Sequence, residues 1–263
     1  MEWWPSSAEA LERLQRRLAE LADRATLWRP SGTPQVGAVF VTFSTAREGR
    51  PAEWERAWAA AVVPARGALR SAVVSGAVHS GYEPGLLALR AGELLERAAR
   101  SLPALPEALL VNASGRDHPR RAGLALHLGA ALDVPTVGVT DRPLVARGEQ
   151  PGADRGERSP LVLAGEVVGY RVRTRRNARP VCVHAAWRTD AEVACEVVTL
   201  VTARARTPEP LREARTLARS TRARDEGRAP SLGARGPSPT VPLDPGRRAL
   251  IDPGSGREDP RAT

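Results

Sequence analysis

The stretch Leu109–Gly123 reads Leu-Leu-Val-Asn-Ala-Ser-Gly-Arg-Asp-His-Pro-Arg-Arg-Ala-Gly. A short apolar run ends at Asn112, a glycine-containing turn follows, and helical spacing returns over residues 120–132. This order predicts a buried strand, a loop and a helix. Ligands and catalytic side chains gather where such a strand ends, because the loop is exposed and the helix N-terminus offers free N–H groups to phosphate. Asn112 is therefore a candidate site residue.

The segments before this stretch predict one helix, three strands and a second helix. Ser6 or Ser7 can cap a helix whose leucines recur at helical spacing through Leu21. Strands are predicted over 36–44, 54–63 and 68–79, and the turns between them favour an antiparallel meander. A long amphipathic helix over 86–102 then leads into the quoted stretch.

The segments after it complete a mixed α/β pattern. We predict a strand over 134–139, a surface loop over 140–160, strands over 161–174 and 180–184, and a closing helix over 189–203. Three antiparallel strands followed by alternating helices and strands predict one mixed sheet with helices on both faces. The fold class is thus α/β.

The charge and the composition separate the end of the chain from the rest. All 39 basic residues are arginine, and the net charge is +9. A GC-rich genome explains the choice of arginine over lysine, but the charge itself still favours a polyanionic partner. Residues 206–263 have no aromatic side chain and are rich in Pro, Gly, Arg and Ser. We therefore predict a folded domain over 1–205 and a disordered basic tail over 206–263, with a short helix possible at 209–219.

The cysteines and the N-terminus indicate the compartment. Cys182 and Cys195 are flanked by apolar residues, which is typical of buried thiols in a reducing environment. The N-terminus has no signal-peptide layout, and no apolar run approaches the length of a membrane span. We expect a soluble, cytoplasmic monomer with no membrane association.

Four landmarks resemble the endonuclease V family. They are Tyr82-Glu83-Pro84-Gly85, the 111–123 loop, Val134–Val139, and the segment from Arg173 to Arg188. The resemblance covers about residues 6–205 and implies a ribonuclease-H-like fold, in agreement with the predicted topology. It also implies a nuclease that cuts DNA or RNA near inosine with carboxylates that hold a divalent ion, because such an ion activates water and stabilises the leaving oxygen.

The residues that the resemblance would make catalytic are replaced in this chain. The family's aspartate, glutamate, aspartate, lysine and histidine fall on Val39, Ala91, Asn112, Asp141 and Trp187. Val39 and Ala91 offer no ligand oxygen, Asn112 offers only a neutral carbonyl, and Trp187 cannot transfer protons. We therefore expect no metal site and no cofactor, with Mg or Mn required only if cleavage is retained.

A relocated metal site is the alternative. Its ligands would be Asp117, Glu83 and Asp190. Each has an ordinary structural role as well, because Asp117 can pair with a neighbouring arginine, Glu83 can be a solvated charge, and Asp190 stands where a helix N-cap is needed.

The binding features match the family better than the catalytic ones. Tyr82 and Pro84 match an aromatic wedge inserted at the lesion, although a tyrosine packed at a strand end is an equal alternative. The loop with Gly115 and His118 resembles the family's base pocket, and Arg120 and Arg121 are placed for phosphate. Arg173, Arg175 and Arg176 form a basic stretch that is either a phosphate track or a solvated strand edge.

Three functions follow from these features. The first is a nucleic-acid-binding protein, with DNA or RNA that possibly contains inosine as its partner, which has lost metal-dependent cleavage. The second is an active inosine-specific endonuclease that uses the relocated ligands. The third is a protein interaction module whose tail carries the function.

Overall fold

The computed structural model describes residues 2–44, 55–65, 67–78, 81 and 83–227. The helices are α1 (Ala8–Arg24), α2 (Leu87–Arg100), α3 (Leu124–Leu132), α4 (Ala191–Leu200) and α5 (Glu209–Asp225). The strands are β1 (Val36–Phe43), β2 (Arg56–Ala65), β3 (Ala68–Ala77), β4 (Ala108–Val111), β5 (Thr136–Thr140), β6 (Arg158–Leu163), β7 (Glu166–Val172) and β8 (Val181–Ala185).

These strands form one mixed sheet in the order β3-β2-β1-β4-β5-β8-β7-β6. The first three strands pair antiparallel, as predicted, whereas β4 pairs parallel with both β1 and β5. The carboxyl ends of β1, β4 and β5 therefore meet at one edge of the sheet. Asn112 follows β4 at this edge, and Asp141 follows β5.

Helices cover both faces of the sheet, which confirms the predicted ribonuclease-H-like α/β fold. Leu18, Leu95 and Leu126 of α1, α2 and α3 are buried in one apolar core. Val197 of α4 and Leu211 of α5 are buried in a second core on the other face. The central strands are apolar on both sides because each of their faces is covered.

Two predicted elements differ from the structure. The helix predicted over 120–132 begins only at Leu124, because Arg121 has a left-handed backbone (φ 56°) that a helix cannot contain. The single strand predicted over 161–174 is a hairpin of β6 and β7. Its turn is formed by Ala164 and Gly165, whose φ values of 51° and 84° suit a two-residue hairpin loop.

The predicted domain boundary after residue 205 is too early. Helix α5 is held to the sheet by two kinds of contact. Its buried Leu211 and Ala218 pack into the second core, and the indole N–H of Trp58 donates to Asp225 at 2.6 Å. Helix α5 has no aromatic residue of its own, but the sheet supplies Phe40 and Trp58 to its contact. The folded domain thus continues through α5, and the tail prediction for 228–263 falls outside the described residues.

The cysteines are buried free thiols, as predicted from their apolar neighbours. Burial raises the pKa of the Cys182 thiol to about 11, so this side chain stays protonated and unreactive. Within the described ranges, no helix combines the length and the apolar character needed to cross a membrane.

Candidate functional site

A cleft of about 310 Å³ opens beside the carboxyl ends of β4 and β5. Its walls come from the loop after β4, the start of α2, the first residue of α3 and the segment after β5. Its lining includes Asn112, Ser114, His118, Leu87, Leu124, Thr140, Arg142 and Leu144. The cleft lies where a parallel α/β sheet commonly binds ligands. Four residues of the stretch Leu109–Gly123 line it, namely Asn112, Ala113, Ser114 and His118.

Asn112 is held toward the sheet. Its side-chain Nδ2 donates to the backbone carbonyl of Val139 in β5 at 3.0 Å. One of the two N–H donors of the amide is thereby used within the protein, and the carbonyl oxygen and the second N–H remain for a ligand. A neutral amide oxygen is a much weaker ligand for a hard divalent cation than a carboxylate.

The side chains at three other positions that the family resemblance would make catalytic offer no oxygen ligand. Val39 and Ala91 are 0% and 1% exposed and belong to the same apolar core. Trp187 packs against that core, and its buried indole nitrogen has no hydrogen-bond partner among the described residues. These side chains do not fit a divalent cation, because they bring neither negative charge nor ligand oxygens to the edge of the sheet.

The charge of Asp141 is paired with an arginine. Its carboxylate accepts from Nη1 of Arg206 at 2.7 Å, and this hydrogen bond lowers the pKa of the carboxyl. Asp141 directly follows the last residue of β5. In the part of the chain that the structure describes, no group of three or more His, Cys, Asp or Glu side chains could hold a metal ion.

The predicted relocated ligands Asp117, Glu83 and Asp190 do not form such a group among the described residues. Asp190 caps α4 by accepting from the backbone N–H of Val193 at 2.8 Å, and it also pairs with Arg29. Glu83 remains an exposed charge beside the cleft. The ordinary structural roles of Asp190 and Glu83 therefore hold.

Asp117 has a structural role that the sequence did not indicate. Its carboxylate is fully buried and accepts from the backbone N–H groups of Leu144, Val145 and Ala146 at 2.7–2.8 Å. These charge-assisted hydrogen bonds hold the segment after β5 against the loop after β4. The cleft wall at Leu144 is therefore fixed by a carboxylate from the opposite loop.

A buried histidine lies beside this carboxylate. The Nε2 of His184 is 2.8 Å from the hydroxyl of Thr140, which itself donates to the backbone carbonyl of Arg142 at 2.7 Å. His184 must therefore donate from Nε2, and its Nδ1 lies 3.6 Å from the Asp117 carboxylate. Burial lowers the pKa of His184, and the charge of Asp117 opposes this shift.

His118 and Arg120 hold the turn at Gly85 in place. The carbonyl of Gly85 accepts from the His118 ring and from Nη2 of Arg120, both at 3.1 Å. Arg120 also donates to Gln15 at 2.6 Å and to Glu12 at 3.1 Å. Three of the five N–H donors of the Arg120 guanidinium therefore have partners within the protein, and the phosphate contact at Arg120 stays a prediction.

Several backbone N–H groups of the 115–121 loop have partners within the protein. The backbone N–H groups of Arg116, His118 and Arg121 donate to carbonyls within the protein. Gly115 faces β8, where an added Cβ would lie 2.1 Å from the carbonyl oxygen of Ala185, so glycine is required by a close approach and not by a ligand. The side chain of Arg121 pairs with Glu166.

Two further sets of residues were predicted to bind nucleic acid: the aromatic wedge at Tyr82 and Pro84, and the basic stretch of Arg173, Arg175 and Arg176. Tyr82 lies outside the described residues, and Pro84 is exposed beside the turn. Arg173 donates to the carbonyls of Gly152 and Pro151 at 2.7 and 2.8 Å, so the structure uses it to hold a loop. Arg176 forms an exposed ion pair with Asp154, whereas Arg175 is exposed.

Arg142 is a candidate that sequence reasoning missed. It lines the cleft and is exposed, and its guanidinium forms no hydrogen bond or ion pair with the residues that the structure describes. The 140–160 segment was predicted only as a surface loop. Its position directly after a strand parallel to β4 was the available signal, because such strand ends share one edge of the sheet.

Comparison with known proteins relates this cleft to one family. The model of the Endonuclease V family matches residues 20–216. Endonuclease V of Methanopyrus kandleri is 45% identical over 163 residues, which cover 62% of this chain and 70% of that protein. Endonuclease V of Streptomyces avermitilis is 35% identical over 221 residues, which cover 82% of this chain and 93% of that protein.

Solved structures agree with these matches. The crystal structure of the Streptomyces avermitilis protein superposes with a TM-score of 0.72 at 34% identity, covering 85% of this chain and 96% of that one. The Ciona intestinalis endonuclease V, solved in complex with a DNA containing an inosine, gives a TM-score of 0.63 at 21% identity, covering 82% and 99%. At 21% identity, the similarity to the Ciona intestinalis protein shows a shared fold only.

Proposed function

The chain belongs to the endonuclease V family, and from this premise we propose that it binds nucleic acid at the cleft without cutting it in a metal-dependent reaction. The cleft takes up one nucleotide that has left the base stack. The bound strand is DNA or RNA, and the family resemblance favours one that contains inosine.

The observation that carries this proposal is the contrast between two parts of the same edge of the sheet. The cleft is open and lined by residues able to contact a base, whereas Val39 and Ala91, which would have to supply metal ligands, are buried hydrocarbon side chains. Nuclease chemistry with a divalent ion needs charged oxygen ligands to hold that ion. Base binding needs none of them.

The chemistry of the cleft suits a nucleobase. Leu87 and Leu124 supply apolar surface for the faces of a ring, while Asn112 and Ser114 supply polar atoms for its edge. Its volume of about 310 Å³ is at the lower end of the range for small-ligand sites. Burial lowers the pKa of His118 to about 4, so at pH 7 the ring adds no positive charge to the cleft.

Arg142 supplies a cation beside the cleft. Phosphate contacts position a strand without reading its sequence, and an exposed guanidinium next to a base pocket is suited to that contact. We expect Arg142 to contribute to affinity for every strand, and the cleft residues to contribute to preference among bases.

A binding titration tests this proposal. Fluorescence anisotropy of the full-length protein with inosine-containing and control strands is measured with and without chelator. We expect binding that prefers inosine and does not change with chelator. Leu87→Trp narrows the cleft and should weaken inosine binding about tenfold or more, whereas the same change at Leu200, which is 54% exposed on α4, should leave it unchanged. Equal affinity for both strands, or equal effects of the two variants, would contradict a base site in the cleft.

A further inference from the structure

Three arginines surround Asp141 at the end of β5, and a fourth lies beside one of them. We call these four the arginine cluster: Arg179, Arg206, Arg215 and Arg219. Arg206 pairs with the Asp141 carboxylate, and Arg179 donates to the backbone carbonyl of Asp141 at 3.2 Å. One carboxylate thus faces three guanidinium groups, and the fourth adds its charge beside Arg215. The cluster carries an excess of positive charge at the edge of the sheet that also bears the cleft.

Two members of the cluster lack a counter-ion. Arg215 and Arg219 are four residues apart on α5, and both guanidinium groups lie over the ring of Phe40, at 5.3 and 5.8 Å from its centroid. Neither forms an ion pair among the described residues, and Nε of Arg215 is buried with no hydrogen-bond partner there. Like charges at this helical spacing repel each other, so the fold holds together two cations that an anion would stabilise.

The electrostatics of Arg215 agree with this picture. Burial and the positive charge of Arg219 lower the pKa of the Arg215 guanidinium, while the charge of Asp141 acts in the opposite direction. Because Asp141 is already paired with Arg206, it offsets only part of the charge. A guanidinium in such surroundings gains more from an anion than one that is freely solvated.

The arginine cluster lies next to the cleft. Arg215 lines a small cavity of which Asn112 and Thr140 also form part, and these two residues line the cleft as well. A strand with one nucleotide in the cleft would therefore pass its neighbouring phosphate close to the cluster. Phosphate is the anion that a nucleic acid presents at regular spacing.

We propose that Arg215 and Arg219 each bind a backbone phosphate of the strand whose nucleotide occupies the cleft, and so supply the positive charge that no metal ion brings to this edge of the sheet. This inference rests on the proposed function. It assigns to α5 a binding role, in addition to its packing against the sheet.

A salt series separates this role from general attraction. Affinity of the full-length protein for a single-stranded inosine oligonucleotide is measured from about 50 to 200 mM salt, where each phosphate contact adds about 0.7 to the slope of log affinity against log salt. We expect Arg215→Gln and Arg219→Gln each to reduce the slope by about 0.7. Arg212→Gln, an exposed arginine on the same helix, is the matched control and should leave the slope unchanged.

Further variants keep the test decisive. Arg219 is exposed, so Arg219→Gln decides the outcome if Arg215→Gln disturbs folding, and Arg215→Lys should retain most of the slope because it keeps the charge. Preference for inosine should persist in Arg219→Gln, since a phosphate contact reads no base. Slopes of both glutamine variants equal to that of Arg212→Gln, with wild-type binding intact, would overturn this inference alone. Absence of wild-type binding to any strand would overturn it together with the proposed function.

Discussion

Replacing Asp117 by Asn should loosen the wall of the cleft and destabilise the protein by a measurable amount. One carboxylate oxygen accepts from Val145 and Ala146, and the other accepts from Leu144. In Asp117→Asn the first oxygen can remain an acceptor, but the second becomes an NH2 group that faces the N–H of Leu144. Two donors then oppose each other in a buried position.

The magnitude follows from these contacts. An unsatisfied buried donor costs about 1–3 kcal/mol, and the two surviving hydrogen bonds lose about 1 kcal/mol each when their acceptor becomes neutral. Relief from burying the charge offsets part of this cost, so we expect a loss of about 3 kcal/mol in the free energy of unfolding. That is a large fraction of the stability of a typical domain.

Chemical denaturation measures this loss, with Asp154→Asn as the matched control. The Asp154 ion pair with Arg176 is 67–75% exposed, so its loss should change the free energy of unfolding by no more than about 0.5 kcal/mol. Hydrogen exchange gives a local measurement, because the amides of Leu144, Val145 and Ala146 should lose protection in Asp117→Asn. A change below about 1 kcal/mol, with protection of these amides retained, would refute the role of the carboxylate as an anchor.

Three further predictions follow from the fold and the site. Burial lowers the pKa of His127 in the folded protein to about 4, so its contribution to stability is complete above about pH 6.5 and is lost as the pH falls toward 4. Denaturation curves should therefore show a pH dependence of the free energy of unfolding of up to about 1.4 kcal/mol per pH unit, and His127→Asn should remove it. Parallel pH profiles of the wild type and the variant would contradict this. Asn112→Asp should not create cleavage with Mg or Mn, because the other two strand and helix positions still lack ligand oxygens, and a metal-dependent cut by this variant in a gel assay would be the contrary result. Deletion of 228–263 should leave the inosine preference in anisotropy titrations intact. Deletion of 206–263 also removes α5 and should yield protein that circular dichroism shows to be unfolded. A folded product of this longer deletion would contradict a domain that continues through α5.

The strands and the site position could be predicted from the sequence because they rest on local patterns. The apolar run that ends at Asn112 is read directly from consecutive residues, and the meander before it follows from three runs separated by turn residues. Asn112 does lie at the cleft, and the substituted Val39 and Ala91 do lie in apolar surroundings.

The errors concern interactions between residues that are far apart in sequence. The hydrogen bond of Arg120 to Gln15 could not be predicted because the two residues lie 105 positions apart, and Asp117 looked like a possible metal ligand because its three donors come from another loop. Helix α5 was missed as part of the domain because the aromatic surface that it covers belongs to the sheet. Such partners become visible only when the chain is folded.

Retained binding without metal-dependent cleavage is tested most directly by one experiment on the full-length protein. Labelled inosine-containing and control strands of DNA and RNA are incubated with the protein in Mg, in Mn and in chelator, and gel shift and cleavage are read from the same samples. We predict a shift of the inosine-containing strand in all three conditions and no cut in any of them. A metal-dependent cut near inosine, absent in chelator, would contradict the conclusion drawn from Val39, Ala91 and Asn112.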